Sequence, residues 1–65
     1  MKIIVNGQSL EVSSTLLEAA LGELGYGDAR VATALNGEFV PLAARTATPL
    51  SDGDQLEILA PMQGG

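Results

Sequence analysis

The last five residues of the sequence, Pro61-Met62-Gln63-Gly64-Gly65, contain the groups best suited to chemistry. Glycine has no Cβ, so a backbone that ends in two glycines can enter a channel too narrow for larger residues. Pro61 lacks a backbone N–H and cannot extend a strand ladder, so we expect the chain to leave the folded body there. The sequence therefore predicts a flexible tail that presents the Gly65 carboxylate, with Gly64 and Gln63 threading the channel.

A free carboxylate is a poor electrophile, so a reaction at Gly65 requires an activated form. Joining it to AMP from ATP creates a good leaving group, and a sulfur nucleophile can then convert the acyl-AMP into a thiocarboxylate. The chain has no Gly-rich phosphate loop followed by a helix, so the ATP must be bound by a partner enzyme. A frayed terminus or an expression scar would give the same two glycines, and both alternatives stay open at this point.

Catalytic chemistry within the chain itself has little support. The sequence contains no histidine and no cysteine, which removes the commonest general base, the catalytic thiol and the usual metal ligands. Asp52 and Asp54 flank Gly53 as turn residues do, and too few other ligands lie near them for a metal site. We predict no catalytic residue, no metal and no bound cofactor.

The charge of the chain bears on its partners. Eight acidic residues against three basic ones, Lys2, Arg30 and Arg45, give a formal charge of −5. Such a surface repels phosphate backbones, so we expect no nucleic-acid binding. The acidity serves either solubility or docking onto a basic partner. With 65 residues, no cysteine and no apolar run of membrane length, we expect one cytoplasmic domain and no membrane.

The elements that must hold the tail follow from apolar spacing and turn residues. Asn6-Gly7 and Asn36-Gly37 each separate two apolar runs, a pattern typical of tight hairpins. Pro41 is expected to end the second hairpin. The predicted elements are hairpins over residues 2–12 and 31–40, an irregular segment over 42–48 with one helical turn around 43–45, and a last strand over 55–60.

A helix is predicted between the two hairpins. Thr15 and Glu18 have the spacing of a capping box, in which each side chain serves the other residue's free backbone amide. Gly25 is a natural helix stop, since glycine takes the left-handed conformation easily. The apolar residues that recur on one face of this helix are Leu17, Ala20, Leu21 and Leu24.

This element order predicts an α+β fold with one helix covering one face of a mixed sheet of about five strands. It suits the ubiquitin-like β-grasp fold, which implies that the first and last strands are central neighbours. We predict a β-grasp domain over residues 1–60 and the di-glycine tail over 61–65. If alternate strand residues face the helix, Ile4 and Leu59 emerge on the open face of the sheet. We predict that they form an apolar patch that docks the partner enzymes.

Six segments together form a recognisable pattern: the opening strand with Asn6-Gly7, Thr15-Leu16-Leu17-Glu18, Val31-Ala32, Leu35 to Pro41, Leu50 to Ile58, and Gly64-Gly65. On these segments the chain resembles, along its whole length, the ThiS family of sulfur carriers of bacterial thiamine biosynthesis. Two positions depart from the family pattern: Leu42 stands where a basic residue is usual, and Arg45 where an aromatic residue is common.

The resemblance implies a carrier and co-substrate rather than an enzyme. A ThiF-like adenylating enzyme would activate Gly65, a cysteine desulfurase route would supply sulfur, and a ThiG-like thiazole synthase would use it to build the thiazole ring of thiamine. Three alternatives stay open: a carrier for another product, such as the small subunit of molybdopterin synthase, a ubiquitin-like protein modifier, and a passive interaction domain.

Overall fold

The computed structural model describes residues 1–27 and 29–60, which form a five-stranded sheet with one α-helix and one 3₁₀ helix. Asp28 and the predicted tail, residues 61–65, lie outside the described residues. Among the described residues, no helix has the length and apolar character needed to cross a membrane. The elements are β1 (Lys2–Val5), β2 (Gln8–Glu11), α1 (Leu17–Glu23), β3 (Ala32–Leu35), β4 (Glu38–Val40), the 3₁₀ helix (Leu42–Ala47) and β5 (Gln55–Leu59).

The first and last strands are neighbours in the middle of the sheet, whose strand order is β2-β1-β5-β3-β4. β1 and β5 run parallel, with Val5 beside Leu56. On its other side β5 pairs antiparallel with β3, as far as Ala32 and Leu59. The mixed sheet and the single α-helix confirm the predicted β-grasp fold.

Both predicted hairpin turns are present, and their backbone conformation explains the residues used. Asn6 and Gly7 have φ of 50° and 84°, and Asn36 and Gly37 have φ of 51° and 86°. Two successive positive φ values are the mark of a type I′ turn, whose twist matches that of the flanking strands. Asparagine and glycine tolerate this region best, so the local sequence determines the turn type.

The core lies between α1 and one face of the sheet. Strand alternation buries Ile3 and Val5 of β1 and Leu56 and Ile58 of β5, and it turns the intervening side chains to the opposite, open face. The other buried apolar residues are Val12, Leu17, Ala20, Leu21, Val40 and Leu50. Leu24, predicted on the same helix face, is only partly buried against this core.

The predicted capping box at the start of α1 is wrong. The N-cap residue is Leu16, and no side chain caps the helix. The segment before Leu50 supplies the partners instead: Leu17 N–H donates to the Thr48 carbonyl at 2.9 Å, and Leu50 N–H donates to the Thr15 carbonyl at 2.8 Å. With Leu16 as the N-cap, Glu18 is the second helical residue and not the third, so Thr15 and Glu18 are one position out of register for a capping box.

The predicted helix stop at Gly25 is confirmed. Gly25 has φ of 95°. The amide of Tyr26 donates to the Leu21 carbonyl at 2.8 Å, and that of Gly25 donates to the Gly22 carbonyl at 3.1 Å. This pair of bonds is a Schellman motif, which satisfies carbonyls left free at the helix end.

Glu23, in the last turn of α1, anchors the loop between β2 and the helix. An acid at a helix C-terminus is unfavourable by itself, because the carbonyl ends there carry partial negative charge. Here the carboxylate accepts hydrogen bonds from the backbone and hydroxyl groups of Ser13 and Ser14, the shortest at 2.9 Å. These bonds, led by the Ser13 backbone N–H, lower the pKa of Glu23 from 4.5 to about 2.

We predict that Glu23→Gln destabilises the fold at neutral pH and that this difference disappears in acid. Because folding lowers the pKa of Glu23 from 4.5 to about 2, its stabilisation is complete above about pH 4.5 and is lost as pH falls toward 2. Urea denaturation of both proteins across this pH range measures the effect. Glu38→Gln, at an exposed strand position, controls for loss of one charge. A pH-independent difference between wild type and Glu23→Gln would contradict the assignment.

Candidate functional site

The predicted reactive residue, Gly65, and the threading residues Gln63 and Gly64 lie outside the described residues. The described part of the site is therefore the end of β5, where Leu59 is the last strand residue and Ala60 follows it. We call the surface around Leu59 and Ala60 the tail root. Its geometry fixes the position of the last described residues before the predicted tail.

The strand that leads to the tail root is held by two asparagine side chains from the hairpin turns. Asn6 Oδ1 accepts from Ile58 N–H at 2.8 Å, and Asn6 Nδ2 donates to the Ile58 carbonyl at 3.1 Å. At the other end of β5, Asn36 Oδ1 accepts from Gln55 N–H at 3.0 Å. The sequence identified both asparagines as turn residues only, because their contacts with β5 depend on sheet order, which turn spacing does not specify.

A groove lies beside the tail root. Two of its walls are the exposed side chains of Leu42 and Leu59, whose exposed fractions are 71% and 68%. Leu42 and Arg45, the two departures from the family pattern, therefore line the same groove as the predicted docking residue Leu59. The full lining consists of residues 29–32, Leu42, Arg45, Leu59 and Ala60.

Arg45 shapes this groove from within the fold, since only 6% of the residue is exposed. Its Nε donates to Thr33 Oγ1 at 3.2 Å and its Nη2 donates to the Val31 carbonyl at 2.6 Å. Thr33 in turn donates through Oγ1 to the Val40 carbonyl at 2.9 Å. A guanidinium offers several donors in a fixed plane, so Arg45 joins the 3₁₀ helix to β3, while Thr33 links this network to β4.

The predicted patch residues Ile4 and Leu59 both lie on the open face, and the register separates them. Ile4 is half-buried and pairs with Gln55. Leu59 lies four residues further along β5, which is roughly 13 Å of strand. Glu57, also exposed, lies on the same face between them. The two residues therefore mark the ends of one surface and are not in direct contact.

Phe39 is an exposed aromatic residue on this face that the sequence analysis missed. Its exposed fraction is 69%, and it pairs with Ala34 of β3. A usable signal was present, because adjacent strand residues point to opposite faces and Val40 is apolar too. Only one of the two could face the helix, and the structure buries Val40.

Asp52 lies in a turn before β5, as predicted, and both acids of the segment accept backbone hydrogen bonds. Asp52 Oδ1 accepts from the backbone N–H of Lys2 at 2.7 Å, and Asp54 Oδ2 accepts from the backbone N–H of Ser51 at 2.8 Å. Gly53 between them has φ of 88°. Within residues 1–27 and 29–60, no group of three or more acids, histidines or cysteines comes close enough to hold a metal ion.

A mixed sheet crossed by one helix, with its central last strand leading to the end of the sequence, defines a ubiquitin-like β-grasp protein. A crystal structure of a thiamine biosynthesis protein (ThiS) from Geobacter metallireducens is 35% identical over the full length of both chains, with a TM-score of 0.83. An NMR structure of a thiamine biosynthesis protein from the same organism is 33% identical over all of this chain and 88% of that one, with a TM-score of 0.79. The ThiS family model matches residues 3–65, and the chain belongs to that family.

A thiazole synthase from Paramagnetospirillum magneticum is also similar, with 41% identity over 66 aligned residues. The match includes 100% of this chain and 20% of the relative, so the chain spans about a fifth of that protein's length. The family resemblance inferred from the sequence is confirmed.

We predict that Thr33→Val destabilises the protein by about 1–3 kcal/mol, although valine has the same shape. The substitution removes the acceptor of Arg45 Nε and the donor to the Val40 carbonyl, and it leaves both groups inside the fold. Thr46→Val, at an exposed position of the 3₁₀ helix, should change stability by less than about 0.5 kcal/mol. Urea denaturation measures both, and equal effects would show that the Arg45 network contributes nothing specific.

Proposed function

We propose that this chain is a cytoplasmic sulfur carrier of thiamine biosynthesis that bears its sulfur as a thiocarboxylate on Gly65. The observation that carries the proposal is the family match, which extends to Gly65 itself. The full-length similarity to a thiamine biosynthesis protein supports it as well. The fold adds a physical reason, since the central strand β5 brings the chain to the tail root only six residues before Gly65.

The chemistry begins with the Gly65 carboxylate attacking the α-phosphorus of ATP bound by an adenylating enzyme of the ThiF type. Pyrophosphate leaves and an acyl-AMP forms. The terminal sulfur of a persulfide, supplied by a cysteine desulfurase route, then attacks the acyl carbon, and AMP leaves with one former carboxylate oxygen. A thiol reductant cleaves the resulting acyl disulfide, which leaves the thiocarboxylate on Gly65 and oxidises the thiol to a disulfide. In this scheme the chain is a co-substrate, and the two terminal glycines let the acyl group reach an enclosed active site.

The acceptor we propose is a thiazole synthase of the ThiG type, which takes the sulfur for the thiazole ring. The 41% identity to part of a protein named thiazole synthase supports this choice. It also favours the thiamine pathway over a molybdopterin synthase. Conjugation to other proteins remains an outcome that the first experiment below detects.

We propose that the partners dock on the open face and the groove at the tail root. The face combines the half-buried Ile4 with exposed Phe39 and Leu59, and Leu42 extends the apolar surface into the groove. Exposed apolar residues beside the tail root suit an interface that excludes water from the reacting group.

We predict a mass gain of about 16 Da when the chain is incubated with ATP, the adenylating enzyme and a sulfur donor, because one oxygen becomes sulfur. Intact-mass spectrometry measures it, and omission of ATP should abolish it. A ladder of heavier conjugates would instead indicate a protein modifier.

The matched control is a chain extended by one alanine after Gly65. This variant keeps the fold and moves the free carboxylate from glycine to another residue, so it should gain no sulfur. Sulfur transfer by the extended chain would overturn the proposal. Unchanged growth without added thiamine, in a strain whose thiamine synthesis depends on this chain and whose copy lacks Gly65, would overturn it too.

We predict that Leu59→Asp weakens binding to the adenylating enzyme and to thiazole synthase at least about tenfold, the effect expected for a charge placed at an apolar interface core. Leu16→Asp is the matched control, because it adds the same charge at an exposed leucine on the helix side of the sheet. Calorimetric titration of both variants measures the effect. Equal affinities for the two variants would show that Leu59 is not part of the interface.

A further inference from the structure

Asn6 holds β5 where the strand approaches the tail root. The parallel pairing with β1 continues until Asn6, whose backbone N–H donates to the Leu56 carbonyl at 2.9 Å. β1 itself ends at Val5, and the chain then turns away into β2. The N–H and the carbonyl of Ile58 face the β1 side of β5, where no described strand continues past Asn6.

The Asn6 side chain supplies the missing ladder position. It accepts from Ile58 N–H at 2.8 Å and donates to the Ile58 carbonyl at 3.1 Å. A carboxamide carries the same donor and acceptor as a peptide group, so Asn6 acts as one further residue of β1. The pairing on this flank therefore reaches Ile58, two residues before Ala60.

We propose that Asn6 is a positioning residue for the reaction at Gly65. It fixes the end of β5, so a partner enzyme receives the tail from a defined origin and direction. The inference rests on the proposed function, because it requires Gly65 to enter a partner's active site. Backbone residues that are already ordered in the free carrier add no further entropy cost when the partner binds.

Asn36 provides an internal comparison. It lies in the same kind of turn, with φ of 51° against 50° for Asn6. Its side chain also makes two hydrogen bonds, to Gln55 N–H at 3.0 Å and to Asp54 Oδ1 at 3.1 Å. These bonds lie at the start of β5, away from the tail root. A role in stability alone predicts similar effects at both asparagines, whereas positioning predicts an effect at Asn6 only.

The experiment compares Asn6→Gly with Asn36→Gly, since glycine keeps the positive φ and removes only the side-chain bonds. ATP–pyrophosphate exchange by the adenylating enzyme gives KM and kcat for each carrier. We expect Asn6→Gly to raise KM about fivefold to tenfold with kcat unchanged, the size of one or two lost hydrogen bonds. Asn36→Gly should change KM by less than about twofold.

Amide hydrogen exchange gives a second readout that needs no partner. Ile58 should exchange faster in Asn6→Gly only, and Gln55 faster in Asn36→Gly only. Asn6→Asp serves if Asn6→Gly is too unstable, because aspartate retains the acceptor and the turn but loses the donor to the Ile58 carbonyl. It should raise KM in the same direction.

Equal KM values for the two glycine variants would overturn the inference while leaving the proposed function in place. So would an Ile58 amide that exchanges in Asn6→Gly as slowly as in wild type. Absence of adenylation of the wild-type chain is a different result, because it would remove the proposed function and this inference together.

Discussion

The pairing of β5 between β1 and β3 is the interaction on which the rest of this structure depends. It joins two hairpins that are each local in sequence into one sheet. It also buries Leu56 and Ile58 against the helix, at the centre of the core. A two-stranded hairpin is at best marginally stable in water, so neither the β1–β2 nor the β3–β4 hairpin would be stable without β5. The same strand ends at the tail root, so the pairing that stabilises the fold also fixes the position of Leu59.

The polar groups that reinforce this arrangement contradict simple rules of residue placement. Glu23 is an acid at a helix C-terminus, and Arg45 is a nearly buried cation. Each is explained by hydrogen bonding: Glu23 accepts from the serine loop, and Arg45 donates to Thr33 and Val31. In a chain of 65 residues the apolar core is small. Hydrogen bonds from charged side chains to loops and strands therefore contribute a larger share of the stability of the fold.

Sequence reasoning succeeded where structure is set locally and failed where it is set by distant contacts. The Asn-Gly turns and the stop at Gly25 were predictable, because positive φ is a property of the residues themselves. The capping box at Thr15 was wrong, because the helix begins one residue later, after Leu16 forms a bridge with the distant Pro49. The Asn6 bonds to Ile58 join residues 52 positions apart, and turn chemistry gives no sign of them. The exposure of Phe39 could have been predicted from the alternation of side chains along a strand.

A carrier of the proposed kind makes fewer demands on a fold than a catalyst, which must build a pocket and orient several groups at once. A carrier needs only a surface to be recognised and a strand end whose position is defined. Here the proposed docking surface and the end of β5 are adjacent, because Leu59 belongs to both. In the proposed mechanism a partner that covers Leu59 holds the chain at the position from which the acyl group must travel, so docking and delivery become one binding event.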